Sequence, residues 1–118
     1  MKQFKFLQEL ALSLPETSEH PHFEKTSFKV KGKIFSTYDA AENKACFKFS
    51  ASDQDLFSLI DKSVIYPIPN KWGKLGWTQF HLDCLGNDVV KDALLTAYCE
   101  VAPKKLAMQI KIEHGLDG

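Results

Sequence analysis

Lysine is the basic residue of this 118-residue chain, which contains fifteen lysines and no arginine. Lys25 and Lys29 are four residues apart, as are Lys44 and Lys48, and side chains an even number of residues apart on a strand share a face. Ammonium groups on one face suit phosphate groups, but the guanidinium fork that reads guanine edges is missing. The lysines therefore predict weak polyanion binding without sequence preference. The alternative is an ordinary solvated sheet face.

A second candidate is the stretch 70–77, with the sequence Asn-Lys-Trp-Gly-Lys-Leu-Gly-Trp. Its two glycines and lack of period predict a sharply bent loop. Trp72 and Trp77 lie among Lys71 and Lys74, and aromatic faces beside lysines suit single-stranded nucleic acid or a small-molecule pocket. The alternative is that both indoles seal the edge of the core.

Metal ligands cluster at residues 20–22 (His-Pro-His) and 81–84 (His-Leu-Asp-Cys). On a strand, His81 and Asp83 point one way and Cys84 points the other, so one ion could not easily use all three. The sequence therefore predicts no metal site. A phosphate-cradling glycine loop and a nucleophile elbow are also missing, and we expect no cofactor.

Cys46, Cys84 and Cys99 are too widely spaced for a disulfide framework or a metal-binding pair, so reduced thiols are expected. Cys46 would share the lysine face, which favours a lowered thiol pKa, but the strands place no histidine beside it. We predict no catalytic residue. An enzyme with an unfamiliar site remains the alternative.

Three antiparallel strands must position the lysines: His22–Val30, Lys33–Asp39 and Lys44–Phe49. Gly32 suits a tight hairpin turn, which pairs Val30 with Lys33.

This register sets Phe28 opposite Phe35 and Thr26 opposite Thr37, on an apolar face with Ala45, Phe47 and Phe49. The four lysines then share the other face with Ser27, Ile34, Ser36, Tyr38 and Cys46. Such a sheet needs helices on its apolar face alone.

The remaining patterns supply those helices and two short strands. Apolar periodicity predicts helices at Lys2–Leu14 and about 88–101, a shorter one after Pro103, and one at Ser52–Asp61 whose buried side is Leu56, Leu59 and Ile60. Val64–Tyr66 and Trp77–Leu82 are predicted strands, and Pro15–Pro21 a loop. The prediction is an α+β fold: one antiparallel sheet of about five strands, with N- and C-terminal helices on one face, in a single domain spanning 1–118.

Charge and hydropathy limit the environment of this domain. The formal net charge is zero, so attraction to polyanions must be local. Residues 1–14 lack the apolar run of a signal peptide, and no stretch approaches the roughly 20 apolar residues of a membrane span. We expect a cytoplasmic monomer or weak dimer that does not contact membranes.

Four stretches together resemble the MmcQ/YjbR family: Leu-Pro-Glu-Thr at 14–17, Phe-Lys-Val-Lys-Gly-Lys-Ile-Phe at 28–35, Gly-Lys-Leu-Gly-Trp at 73–77 and Ala-Tyr-Cys-Glu-Val-Ala-Pro-Lys-Lys-Leu at 97–106. The resemblance covers about 12–107 and implies a fold similar to bacterial frataxin (CyaY-like) and DNA binding. The predicted function is thus a small binding module that contacts DNA weakly. The alternative is a protein-interaction module that presents the exposed sheet face to an acidic partner.

Overall fold

The chain folds into one antiparallel sheet with helices against it, and the computed structural model describes residues 2–115, the side chains of Lys2 and His22 excepted. The elements in chain order are α1 (Lys2–Ser13), β1 (Thr17–His22), β2 (Lys25–Val30), β3 (Lys33–Asp39), β4 (Lys44–Lys48), α2 (Ala51–Ser58), β5 (Ile65–Pro67), α3 (Lys71–Lys74), β6 (Trp77–His81), α4 (Asn87–Val101) and α5 (Lys104–His114), with a 3-10 turn at Leu82–Cys84. The strand order is β1-β2-β3-β4-β6-β5. The predicted α+β class is confirmed.

The described part of the sheet has six strands rather than about five, because the predicted loop Pro15–Pro21 contains most of β1. This strand ends at His22, and a turn at Phe23 and Glu24 separates it from β2, so the predicted strand His22–Val30 is divided. β1 is an edge strand that pairs only with β2. An edge position tolerates Pro21, which cannot donate to a ladder, and it needs no apolar alternation.

A β-bulge in β3 changes the predicted register of the central hairpin. Val30 pairs with Lys33 as predicted, but Phe28 lies opposite Ser36 rather than Phe35. The extra residue places Phe35 and Ser36 both in the buried layer, since two residues of the bulged strand face one of its partner. Beyond the bulge the predicted faces exchange: Ser36 and Tyr38 lie on the helix side, whereas Thr37 lies on the other side, opposite Ser27 and Cys46.

The core forms between the sheet and the helices α1 and α4. Phe28, Phe35 and Phe47 are fully buried together with Leu7 of α1 and Leu94 of α4, as the periodicity predicts. The rings of Phe35 and Tyr98 meet edge to face at 5.6 Å between centroids, an arrangement that aromatic rings favour. One face of the sheet is thus covered.

Helix α2 begins and packs differently from the prediction Ser52–Asp61. Its N-cap is Ser50, whose hydroxyl accepts a hydrogen bond from the backbone N–H of Asp53. The predicted buried side is exposed: Leu56, Leu59 and Ile60 are 62%, 67% and 53% exposed, and the last two follow the end of the helix. Instead Phe57 packs on Phe49 with the ring centroids 4.8 Å apart. No helix in the described range 2–115 is long and apolar enough to cross a membrane.

Candidate functional site

The face of the sheet opposite α1 and α4 is called the open face here. Its side chains alternate with those of the core: Lys25, Ser27 and Lys29 of β2; Ile34, Thr37 and Asp39 of β3; Lys44, Cys46 and Lys48 of β4; Tyr66 of β5; and Trp77, Gln79 and His81 of β6. The structure therefore brings together all four lysines that the spacing assigns to one face. In this set Asp39 is the one carboxylate.

The four lysines differ in whether their ammonium groups already contact another residue. Lys44 forms an ion pair with Glu42 at 3.2 Å, and the Nζ of Lys48 donates to the carbonyl oxygen of Phe49 at 3.3 Å. Lys25 and Lys29 have no ion pair or hydrogen bond with another residue of the described chain. The charge available to a ligand is therefore concentrated on β2.

A cleft of about 270 Å³ opens on the same face and is called the Trp cleft. Lys25, Ile34, Thr37, Cys46, Ile68, Trp72 and Trp77 line it. Trp72 is 51% exposed and Trp77 is half-buried, so neither indole belongs to the buried core. Both indoles are therefore at least partly accessible from the cleft.

The one-turn helix α3, where the sequence predicts a loop, holds Trp72 over this cleft. Asn70 caps it by accepting a hydrogen bond from the N–H of Trp72 at 2.8 Å. A Cβ on Gly73 would lie 2.0 Å from the carbonyl oxygen of Ile68, and one on Gly76 2.0 Å from that of Phe49. Both glycines are therefore needed for close packing of backbone against backbone.

Lys71 and Lys74 lie next to the Trp cleft rather than in it. Both line a neighbouring groove of about 700 Å³ with Gln54 and Asn70, and neither lines the Trp cleft. The Nζ of Lys71 lies 5.7 Å from the centroid of the Trp72 ring, within the range of a cation–π contact. The structure thus places both lysines beside the cleft.

A polar cluster at the far edge of the open face includes Tyr66, which the sequence prediction does not single out. Its hydroxyl hydrogen-bonds to the Nε2 of His81 and accepts from the Nε2 of Gln79 at 3.0 Å. The alternation of β6 predicts Gln79 and His81 on one face, but nothing in the sequence indicates the pairing of β6 with β5 that brings Tyr66 beside them.

The thiol of Cys46 is not activated by its lysine neighbours. Burial raises the pKa of Cys46, and the nearby carboxylate of Asp39 acts in the same direction, against the opposite influence of Thr37, Lys25 and Lys44. The expectation of a lowered pKa is therefore wrong, because desolvation exceeds the attraction of the lysines. The thiol stays protonated at neutral pH and lacks the reactivity of a nucleophile.

Two of the residues considered as metal ligands form hydrogen bonds with other side chains. Asp83 accepts a hydrogen bond from the buried amide of Asn43 at 2.7 Å, and His81 bonds to Tyr66. Among the described side chains, which do not include that of His22, no three His, Cys, Asp or Glu groups come together as a metal site would require.

The four stretches that carry the family resemblance contact one another or the sheet. The Tyr98 hydroxyl donates to the carbonyl oxygen of Pro15 at 2.8 Å, and the N–H of Lys31 donates to the carbonyl of Glu16 at 3.1 Å. The carbonyl of Gly76 accepts from the N–H of Phe49 at 3.0 Å. These contacts tie loops to the core, so the resemblance describes the fold rather than a ligand.

Comparison with known proteins agrees with this fold. The crystal structure of the Deinococcus radiodurans protein DR2400, a DUF419 domain, is similar with a TM-score of 0.72 and 20% identity, over 94% of this chain and 86% of that one. A search of curated proteins finds no match. The YjbR family model matches residues 12–100. The chain belongs to the YjbR family.

Proposed function

We propose that this protein binds nucleic acid weakly and without sequence preference through its open face, with Lys25 and Lys29 at the phosphates. The observation that carries the proposal is a pair of lysines on β2 that form no ion pair with any described residue, on a face that α1 and α4 leave uncovered. Because Lys25 and Lys29 are four residues apart on one strand, their Cα atoms are about 13 Å apart. That distance is about the rise of four base pairs.

The distribution of charge supports the proposal although the net charge is zero. The open face carries four lysines and Asp39, whereas α2 and α4 carry exposed carboxylates such as Asp55, Asp88 and Asp92. The excess of positive charge on the open face therefore attracts a polyanion locally. Without arginine, the contacts are point charges and read no base edges.

The test is the salt dependence of binding to random duplex DNA. The variant Lys25→Gln/Lys29→Gln removes both available charges. The matched control Lys91→Gln/Lys105→Gln removes two exposed charges from α4 and α5. The wild type should bind with a Kd of about 10⁻⁴–10⁻⁶ M at physiological salt.

Each lost phosphate contact lowers the slope of log K against log salt by about 0.9. The slope of log K against log salt should therefore be smaller in magnitude by about 1.8 for the β2 variant. The control should have the wild-type slope. An acidic protein partner would meet the same lysines without this counterion release. Equal slopes for wild type, variant and control, or no binding by wild type at low salt, would refute the proposal.

A further inference from the structure

We infer that the Trp cleft seats one unpaired base of a nucleic acid strand, with the phosphate attached to that base at Lys25, so that the protein prefers single strands to duplex. This inference rests on the proposed function and names its substrate class. A base that is paired and stacked within a duplex has no free face, whereas an unpaired base can stack on an indole.

The size and lining of the cleft fit one planar group. Its volume of about 270 Å³ lies just below the roughly 300 Å³ at which pockets for drug-sized molecules begin. Trp72, Trp77, Ile68 and Ile34 supply the apolar part of its lining. A base is planar and largely apolar on its faces, and these four side chains offer apolar contact to such faces.

The rest of the lining offers little to distinguish one base from another. Its uncharged polar groups are the hydroxyl of Thr37 and the thiol of Cys46, which burial keeps protonated. A single hydroxyl and a single thiol do not form the bidentate contacts that read base edges. Stacking without such contacts accepts every base, which agrees with an arginine-free protein.

Charge complementarity favours a nucleotide over an uncharged aromatic molecule. Lys25 lines the cleft and has no ion pair with another described residue. The Nζ of Lys71 lies 5.7 Å from the Trp72 ring centroid, and Lys71 lines the groove that adjoins the cleft at Ile68. A base in the cleft would therefore have the ammonium group of Lys25 near its own phosphate and that of Lys71 in the adjoining groove, toward the next phosphate along the strand.

The experiment compares three ligands of equal length, about eight nucleotides: oligothymidylate, an abasic strand with the same phosphates, and a duplex. Binding is read by fluorescence anisotropy of the labelled strand and by quenching of tryptophan emission. The proteins are wild type, Trp72→Ala, Trp72→Phe and Met108→Ala. Met108 is 60% exposed on α5 and serves as the control.

Oligothymidylate should bind the wild type more tightly than the abasic strand or the duplex and should quench tryptophan emission. Trp72→Ala should weaken oligothymidylate binding by roughly 5- to 150-fold and leave abasic binding unchanged. Trp72→Phe, which keeps a stacking face, should restore most of the affinity, and Met108→Ala should behave as wild type. The side chain of Trp72 is half exposed, so its removal spares the core.

Two other outcomes separate the inference from the proposed function. If all three ligands bind equally and Trp72→Ala has no effect, while Lys25→Gln/Lys29→Gln still weakens binding, the cleft takes no base and the inference alone is wrong. If no ligand binds the wild type at low salt, the proposed function is wrong and the inference is refuted with it.

Discussion

Replacing Tyr98 by phenylalanine removes one hydroxyl group and should change how stability depends on pH. The Tyr98 side chain is fully buried, and its hydroxyl donates to the carbonyl oxygen of Pro15 at 2.8 Å. Loss of this bond should lower the free energy of unfolding by about 1 kcal/mol at neutral pH. The carbonyl of Pro15 is only part-buried, so water can replace the lost donor and limit the cost.

At alkaline pH the same hydroxyl lowers the stability of the folded state. Burial raises the pKa of Tyr98 to about 12, and the negative charges of Cys99 and Glu16 act in the same direction. In the unfolded chain a tyrosine titrates near its ordinary pKa of about 10. The folded state therefore retains a proton that the unfolded state releases, and stability is complete below about pH 10 and falls as pH rises through about 12.

Loss of the hydrogen bond lowers the free energy of unfolding, whereas removal of the Tyr98 titration raises it at alkaline pH. Which of the two proteins is more stable should therefore depend on pH. By about pH 11 the wild type has lost about 1.4 kcal/mol through Tyr98, which cancels the gain from its hydrogen bond. Tyr98→Phe should thus be less stable than wild type at neutral pH and more stable above about pH 11. Urea unfolding followed by circular dichroism at several pH values measures both curves. A stability difference that is constant across this range would refute the assigned pKa and its cause.

Three further predictions concern the core, the glycines and metal. Phe35→Ala should cost roughly 3–5 kcal/mol, whereas the exposed Leu59→Ala should cost under about 0.5 kcal/mol in the same urea titration. Gly76→Ala should destabilise by more than about 1 kcal/mol, because its φ is +108° and its Cβ would meet the carbonyl of Phe49; Gly86→Ala, whose Cβ meets nothing within 4 Å, is the control. Elemental analysis should find no stoichiometric zinc, and a chelator should leave the unfolding midpoint unchanged; one equivalent of zinc would contradict this.

The core and the open-face lysines could be predicted because both follow from periodicity. The spacing of Leu7 and Leu94 on helices, and of Phe28 and Phe47 on strands, marks positions that must be buried. The same alternation assigns Lys25, Lys29, Lys44 and Lys48 to the opposite face without knowledge of the pairing partners. The face on which these lysines lie is therefore predicted correctly, although the pairing register of the strands is not.

The β3 bulge, the edge strand β1 and the Trp cleft could not be predicted in this way. A bulge at Phe35 leaves an ordinary strand composition, and its effect on Ser36 and Tyr38 depends on pairing with β2. An edge strand needs no apolar pattern because one side of its ladder faces solvent. The cleft gathers residues from β2, β3, β4, α3, β6 and the segment between β5 and α3, and contacts between distant segments leave no local signal.

Family membership bears on the fold more directly than on the ligand. Stretches 14–17, 28–35 and 97–106 are joined by the bonds of Tyr98 to Pro15 and of Lys31 to Glu16, and Gly76 bonds to Phe49 at the end of β4. Lys25 and Trp72, which the proposed binding mode requires, lie outside all four stretches. A relative could therefore keep the four stretches and the fold while lacking this site. The binding of each relative must accordingly be tested on its own open face.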